Sequence, residues 1–243
     1  MYALLAFTLL TAPFEAEQRR FERVRGAFER TEEAVRARFR EAGAAYPPKA
    51  IFLRVLKHER ELELWALGKK DRYALVRRYA ICAASGALGP KRRRGDLQVP
   101  EGFYRIDRFN PWSNFHLSLG VDYPNASDRA LGDKRDLGGD IFIHGDCASI
   151  GCVAITDPMI EEVYVAAVKA RSGGQRSIPV HIFPRRLDEA GLAALEGDDA
   201  LLAFWKSLAP GYAYFEAHRA LPKVSVGPDG LYRLRGRLTP PPK

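Results

Sequence analysis

Three short β-type runs, of which one alternates strictly between polar and apolar residues, constrain the fold more than any other feature of this sequence. They begin at Ile51, Glu61 and Tyr73 and read IFLRV, ELELW and YALV. Alternation with a period of two places successive side chains on opposite faces of a strand. Polar residues separate the runs, and Lys69-Lys70-Asp71 supplies a turn. The runs are therefore predicted to form hairpins of an antiparallel sheet.

Further strands and helices follow along the chain. Gly86 to Pro100 is predicted to be a surface loop, and more strands are predicted at 102–106, 114–119, 140–143 and 178–183. Asp157 as N-cap with Pro158 predicts a helix start, and a second helix is predicted from Leu187 to Leu208 before a terminal hairpin. The prediction is an α+β fold, with a mostly β domain at 47–185 and a helix and hairpin extension at 186–243.

The N-terminal part consists of an apolar segment at 1–16 and a helical stretch at 17–46. Ala3 to Ala12 is too short to span a bilayer but fits the apolar region of a signal peptide. A preceding basic residue and a clean cleavage site are missing, so an ordinary N-terminal helix is the alternative. In the second stretch, apolar residues at helical spacing among Arg and Glu predict one amphipathic helix: Phe21, Val24, Phe28, Val35 and Phe39.

The net charge of the chain limits the classes of partner it attracts but does not identify one. Lys and Arg number 38 against 30 Asp and Glu, so the formal net charge is +8. A basic surface attracts phosphates, anionic lipids and acidic polymers alike. No nucleic-acid-binding motif accompanies the run Lys91 to Arg94 or the arginine-rich helix, which predicts no nucleic-acid partner. Solvated faces are the default interpretation, and peripheral contact with a membrane surface stays open.

The stretch with the most chemical information is IHGDCASIGC, from Ile143 to Cys152. It leaves a buried strand and turns through small residues, a setting in which free backbone N–H groups beside a thiol would favour the thiolate and donate to a tetrahedral oxyanion. Cys152 is the candidate nucleophile, and His144 at the strand end is the candidate base. Gly151 leaves the backbone beside the thiol unobstructed, and Ser149 can bond within the turn or to substrate. A Cys and a His this close are also often structural.

The other two cysteines leave alternatives open. His144, Cys147 and Cys152 could belong to a zinc site, but a structural site needs four ligands and no second Cys/His pair lies nearby in sequence. Cys147 is interpreted as a buried small residue or, in an oxidising compartment, as a disulfide partner of Cys82. No cofactor and no metal are expected.

Along the chain, a strand is followed by His-Gly, a loop of small residues and Ser-x-Gly-Cys. This order resembles the L,D-transpeptidase catalytic domain of the YkuD type. Other segments resemble the YafK branch of that family: Tyr79 to Cys82, Ser85 to Lys91, Pro100 to Tyr104, Phe115 to Ser118 and Tyr123 to Asn125. The resemblance runs from about Ile51 to Phe183. It implies a mostly β domain that acts on peptidoglycan stem peptides in the periplasm or cell envelope.

The resemblance also implies roles for individual residues. The Cys152 thiolate would attack the carbonyl of meso-diaminopimelate and form an acyl-enzyme, with His144 as general base. The Gly151 and Cys152 backbone would form the oxyanion site, with Gly145 and Ser149 nearby. His116, predicted on a neighbouring strand, is a candidate groove residue, with a structural role as the alternative.

The resemblance is not complete after the nucleophile. Val153-Ala154-Ile155 stands where many members carry an apolar residue and then Arg, which would suit a carboxylate of the donor peptide. The YafK branch is associated with hydrolysis at diaminopimelate, including the amide bond to a wall-linked lipoprotein. Hydrolysis is the first expectation. Cross-linking transpeptidation and a catalytically idle wall-binding module are the alternatives.

Overall fold

The computed structural model describes residues 14–236, in which ten strands and six α-helices follow one another. Residues 1–13, which hold most of the candidate signal peptide, and residues 237–243 lie outside the described residues. The strands are β1 (Ile51–Leu56), β2 (Glu61–Leu67), β3 (Tyr73–Ala80), β4 (Gly102–Asn110), β5 (Ser118–Val121), β6 (Phe142–His144), β7 (Val153–Ala154), β8 (Ile178–Phe183), β9 (Val224–Val226) and β10 (Tyr232–Leu234). The helices are α1 (Phe14–Gln18), α2 (Glu22–Glu41), α3 (Ala126–Leu131), α4 (Asp157–Ser172), α5 (Glu189–Ala193) and α6 (Asp199–His218).

Eight strands form one sheet in the order β3-β2-β1-β8-β4-β5-β6-β7. The three runs that begin at Ile51, Glu61 and Tyr73 form the predicted antiparallel hairpins, in which β1 pairs with β2 and β2 pairs with β3. Two neighbouring pairs, β1 with β8 and β6 with β7, are parallel. β9 and β10 form a separate hairpin. The α+β prediction is confirmed.

Helices cover both faces of this sheet. Leu53 and Val55 of β1 belong to the same core as Val163 of α4. The alternate residue Phe52 packs its ring against Phe215 of α6, with centroids 5.0 Å apart. Because both faces of β1 are covered, all of its residues are buried.

The arginine-rich helix α2 packs against α4. Four residues of the predicted apolar stripe, Val24, Phe28, Val35 and Phe39, are buried, whereas Phe21 is the half-buried N-cap outside the helix. Its charged residues pair with the neighbouring helix: Arg30 with Glu161 and Arg38 with Glu162, at N to O distances of 2.6 and 2.7 Å. Much of the basic charge of this helix is therefore used in packing. The helix begins at Glu22, after a turn that separates it from α1, because Phe21 has an extended backbone.

Three local predictions are wrong in their boundaries. Thr156, rather than Asp157, is the N-cap of α4. The helix predicted from Leu187 to Leu208 is two helices, because the side chains of Asp188 and Asp198 each accept a backbone N–H and start a new helix. The strand predicted at 114–119 begins only at Ser118. Among residues 14–236, no helix combines the length and the apolar composition that crossing a bilayer requires.

Candidate active site

The register of the sheet places His144 and Cys152 on one face. β6 and β7 are parallel, and His144 lies opposite Ala154. Cys152 precedes Ala154 by two residues, so its side chain leaves the strand on the same side as that of His144. Ser118 lies opposite His144 on the other flank, and Asn110 opposite Ser118. Asn110, Ser118 and His144 thus form a row of polar side chains across β4, β5 and β6.

Both candidate catalytic side chains line one open cavity of about 270 Å³. Its walls come from the loop after β4, from β5 and β6 and from the turn that ends at Cys152. They consist of Asn110, Ser113, Asn114, Phe115, Ser118, Asp140, Phe142, His144, Ile150 and Cys152. The thiol and the imidazole therefore border the same cavity.

The imidazole of His144 is held in one tautomer. Its Nδ1–H donates to the carbonyl oxygen of Gly145 at 2.6 Å, since a carbonyl oxygen can only accept. The ring packs against Phe115, with centroids 4.6 Å apart. Burial lowers the pKa of His144, and it outweighs the opposite effects of the Gly145 carbonyl and Asp146. The resting imidazole is therefore neutral, and its Nε2 lone pair remains for a proton.

The thiol of Cys152 is also neutral at rest. Its S–H donates to the carbonyl oxygen of Asp140, with 3.6 Å between sulfur and oxygen. Burial raises the pKa of the half-buried thiol, and the Asp140 carboxylate acts in the same direction. The Phe142 backbone and Lys91 oppose this shift without reversing it. The expectation that the turn favours a thiolate is wrong for the resting protein, because desolvation dominates.

The turn before Cys152 is held by the hydroxyl of Ser149. This oxygen accepts the N–H groups of Gly151 and Cys152 at 3.2 and 2.9 Å, and it donates to the carbonyl of Cys152 at 2.7 Å. The two N–H groups expected to face an oxyanion are therefore already bonded. Of the two roles considered for Ser149, the structure shows the bond within the turn.

Gly145 occupies a tight corner at the end of β6. Its N–H donates to the carbonyl oxygens of Phe115 and Leu117. A Cβ here would lie 2.9 Å from the Phe115 carbonyl oxygen and closer still to the Asp157 carboxylate. This N–H is bonded within the protein, and the carbonyl of Gly145 orients His144.

A disulfide joins Cys82, just after β3, to Cys147 in the middle of the turn, with Cα atoms 5.6 Å apart. Cys147 is exposed, so its interpretation as a buried small residue is wrong, and the pairing with Cys82 is the observed state. A bonded Cys147 has no thiolate for a zinc ion. Over residues 14–236, no three His, Cys, Asp or Glu side chains come together as metal ligands.

His116 does not reach this cavity. It lies in the loop before β5 with φ of +66°, a left-handed backbone that a strand residue does not adopt. Its Nε2 lies 2.7 Å from Oε1 of Glu161, which also binds Arg30. The imidazole thus belongs to the contact between α2 and α4 on the other side of the loop. The structure therefore places His116 outside the cavity that contains His144 and Cys152.

Several cavity residues were missed by the sequence analysis, above all Ser118, Asp140 and Phe142. Ser118 and Phe142 do alternate with buried neighbours in their strands, and this alternation is a signal that they face away from the main core. Nothing in the sequence indicates which neighbouring strands bring them together.

Comparison with known proteins gives the family. Residues 51–182 match the YkuD family, the L,D-transpeptidase catalytic domain. This chain belongs to the L,D-transpeptidase family. The Escherichia coli (strain K12) protein "Putative L,D-transpeptidase YafK" is 40% identical over 178 residues, which cover 72% of this chain and 70% of that protein. Since the family acts on peptidoglycan, this L,D-transpeptidase-family chain works in an extracellular or periplasmic setting.

Two solved structures are similar in fold to this L,D-transpeptidase-family chain. The helical cell shape determining protein Pgp2 from Campylobacter jejuni has a TM-score of 0.45 and 19% identity, covering 69% of this chain and 55% of that chain. Bd1075 of Bdellovibrio bacteriovorus has a TM-score of 0.40 and 21% identity, covering 60% and 50%. This chain thus spans about half the length of each structure.

Proposed function

We propose that this protein hydrolyses amide bonds at meso-diaminopimelate in peptidoglycan, through an acyl-enzyme on Cys152. The observation that carries the proposal is the shared cavity, in which a free thiol and a neutral imidazole leave the same sheet face. Disulfide pairing of the other two cysteines leaves Cys152 as the free thiol of the described chain. Its substrates would be stem peptides and the linkage of a wall-bound lipoprotein.

The reaction begins with a proton transfer. Nε2 of His144 takes the proton of Cys152 as the sulfur attacks the substrate carbonyl, because a neutral base and a neutral thiol are the resting pair. The tetrahedral oxygen takes the place of the Ser149 hydroxyl as acceptor from the Gly151 and Cys152 N–H groups. The imidazolium returns its proton to the leaving amine, and the C–N bond breaks.

Water then completes the cycle. His144 takes a proton from a water molecule whose oxygen attacks the thioester, the C–S bond breaks, and the thiol is regenerated with the carboxylic acid product. Ala154 supports hydrolysis over cross-linking, since it has no charge at the position where many family members carry an arginine suited to a carboxylate of the donor peptide. An amine acceptor in place of water would make the same acyl-enzyme a transpeptidase.

Mass spectrometry of sacculi incubated with the purified protein tests this proposal. Wild type is expected to release the amine-side fragment and to leave stem peptides on the sacculus that end in a free diaminopimelate carboxylate, whereas Cys152→Ala is expected to produce neither while unfolding at the same urea concentration. A second variant, Cys82→Ala with Cys147→Ala, lacks the disulfide but keeps the Cys152 thiol, and it is expected to retain hydrolysis at a reduced rate. New cross-links without hydrolysis would favour transpeptidation. Release by Cys152→Ala would contradict the enzyme assignment.

A further inference from the structure

An ion pair, Arg108 with Asp140, lies beside the thiol. Nη1 of Arg108 is 3.1 Å from Oδ1 of Asp140. Asp140 lines the cavity, and its backbone carbonyl is the group that accepts the S–H of Cys152. One residue thus contacts both the nucleophile and the guanidinium, although no motif in the sequence connects the three.

The sheet register explains how Arg108 reaches this place. Arg108, Gly120 and Phe142 lie opposite one another across β4, β5 and β6. Gly120 has no side chain, and a Cβ there would come within 2.8 Å of Nε of Arg108. The arginine therefore crosses the strand over the glycine, and its guanidinium carbon lies 4.8 Å from the ring centroid of Phe142, a cavity residue.

Both charges remain available to a ligand. The side chains of Arg108 and Asp140 are 46% and 83% exposed. Besides Asp140, the guanidinium donates from Nε to Asp107 at 3.2 Å, and it has five N–H donors in all. Asp140 has φ of +56°, a conformation that costs free energy in a residue other than glycine and is often found at functional sites. A cation and an anion thus lie side by side at the cavity.

We propose that Arg108 and Asp140 bind the free amino-acid end of the diaminopimelate side chain, with its carboxylate on Arg108 and its ammonium on Asp140. That end carries both charges on one carbon, which matches a neighbouring cation and anion. Binding it positions the scissile carbonyl at Cys152, so the pair selects the substrate without taking part in the reaction. This inference rests on the proposed function.

Calorimetry with the full chain carrying Cys152→Ala tests the pair by binding alone. Three stem tripeptides are compared: one ending in meso-diaminopimelate, one with the side-chain carboxylate amidated, and one with lysine in its place. The first is expected to bind about 10- to 100-fold more tightly, the range for a charge-assisted contact. Adding Arg108→Gln should remove this preference, and Arg108→Lys should retain part of it. Asp140→Asn, which tolerates the left-handed backbone, should weaken binding of the unmodified peptide.

A matched arginine on the same strand is the control. Arg105 pairs with Asp122 at 3.1 Å and is 64% exposed, and Arg105→Gln should keep the preference. Melting temperatures of all variants show whether they are folded. An unchanged preference in Arg108→Gln, or no preference in the parent chain, would overturn the inference. Because the Cys152→Ala chain lacks the thiol, its binding preference is measured independently of hydrolysis. If the wild type hydrolyses sacculi but the Cys152→Ala chain shows no preference among the peptides, the proposed function stands and this inference fails.

Discussion

Removal of the Cys82–Cys147 disulfide tests how the turn before the nucleophile is held. The bond joins residues 65 positions apart and fastens the middle of the turn to the end of β3. Backbone bonds also connect these regions, since the Cys82 N–H donates to the carbonyl of Ala154 at 3.0 Å. We therefore expect Cys82→Ala with Cys147→Ala to fold, but with lower stability and a looser turn.

The size of the loss follows from the length of the closed loop. For a separation of 65 residues, the chain-entropy relation gives about 4 kcal/mol at 25 °C. In a chain of this size, each kcal/mol corresponds to about 2–4 °C in melting temperature, so a decrease of about 8–16 °C is expected. Turnover on sacculi should also fall, because Cys147 lies between His144 and Cys152 in the chain.

Urea unfolding with and without a reductant measures this effect. The double variant and the reduced wild type should share a lowered midpoint, whereas Cys152→Ala should match the oxidised wild type and still respond to reductant. If oxidised wild type, reduced wild type and the double variant unfold at the same urea concentration, the disulfide does not stabilise the fold and the reasoning is refuted.

Three further predictions follow from the buried groups of the chain. Burial lowers the pKa of His144 and raises that of Cys152, so iodoacetamide should label Cys152 slowly near neutral pH. The labelling rate should still increase at pH values above those at which an ordinary thiol ionises. A rate that has already reached its plateau at neutral pH would contradict the neutral resting pair. Glu63→Gln should lower the unfolding free energy by up to about 3–5 kcal/mol in urea titrations, because the buried guanidinium of Arg54 loses its fully buried carboxylate and keeps only the partly exposed Glu216. An unchanged midpoint would be inconsistent with this account. Burial opposes the charge of Glu63, but Arg54 and other donors outweigh it and lower its pKa, so this stabilisation should be lost only as the pH falls below the ordinary glutamate range. Ser149→Ala should lower the unfolding free energy by about 1–3 kcal/mol, because three backbone groups lose their hydrogen-bond partner. Ser149→Thr keeps the hydroxyl and should retain most of this stability. Equal unfolding free energies for the two variants would show that the hydroxyl does not hold the turn.

Patterns within single segments were enough to predict much of the fold. Short β-type runs between polar stretches predicted the strands that start at Ile51, Glu61 and Tyr73, and helical spacing predicted most of the buried stripe of α2. The residue order around His144 and Cys152 was enough to predict the family. Their catalytic roles stay a prediction, supported by a shared face and a shared cavity.

What the sequence by itself determined is local, because alternation, spacing and residue order act within one segment of the chain. Packing in three dimensions was needed to show that Arg108 crosses Gly120 towards Asp140, that His116 faces Glu161 instead of the cavity, and that burial keeps the candidate pair His144 and Cys152 neutral. Each of these depends on strand register or on desolvation by distant residues. Such contacts join positions far apart in the chain, and they exist only once the sheet and its helices have packed together.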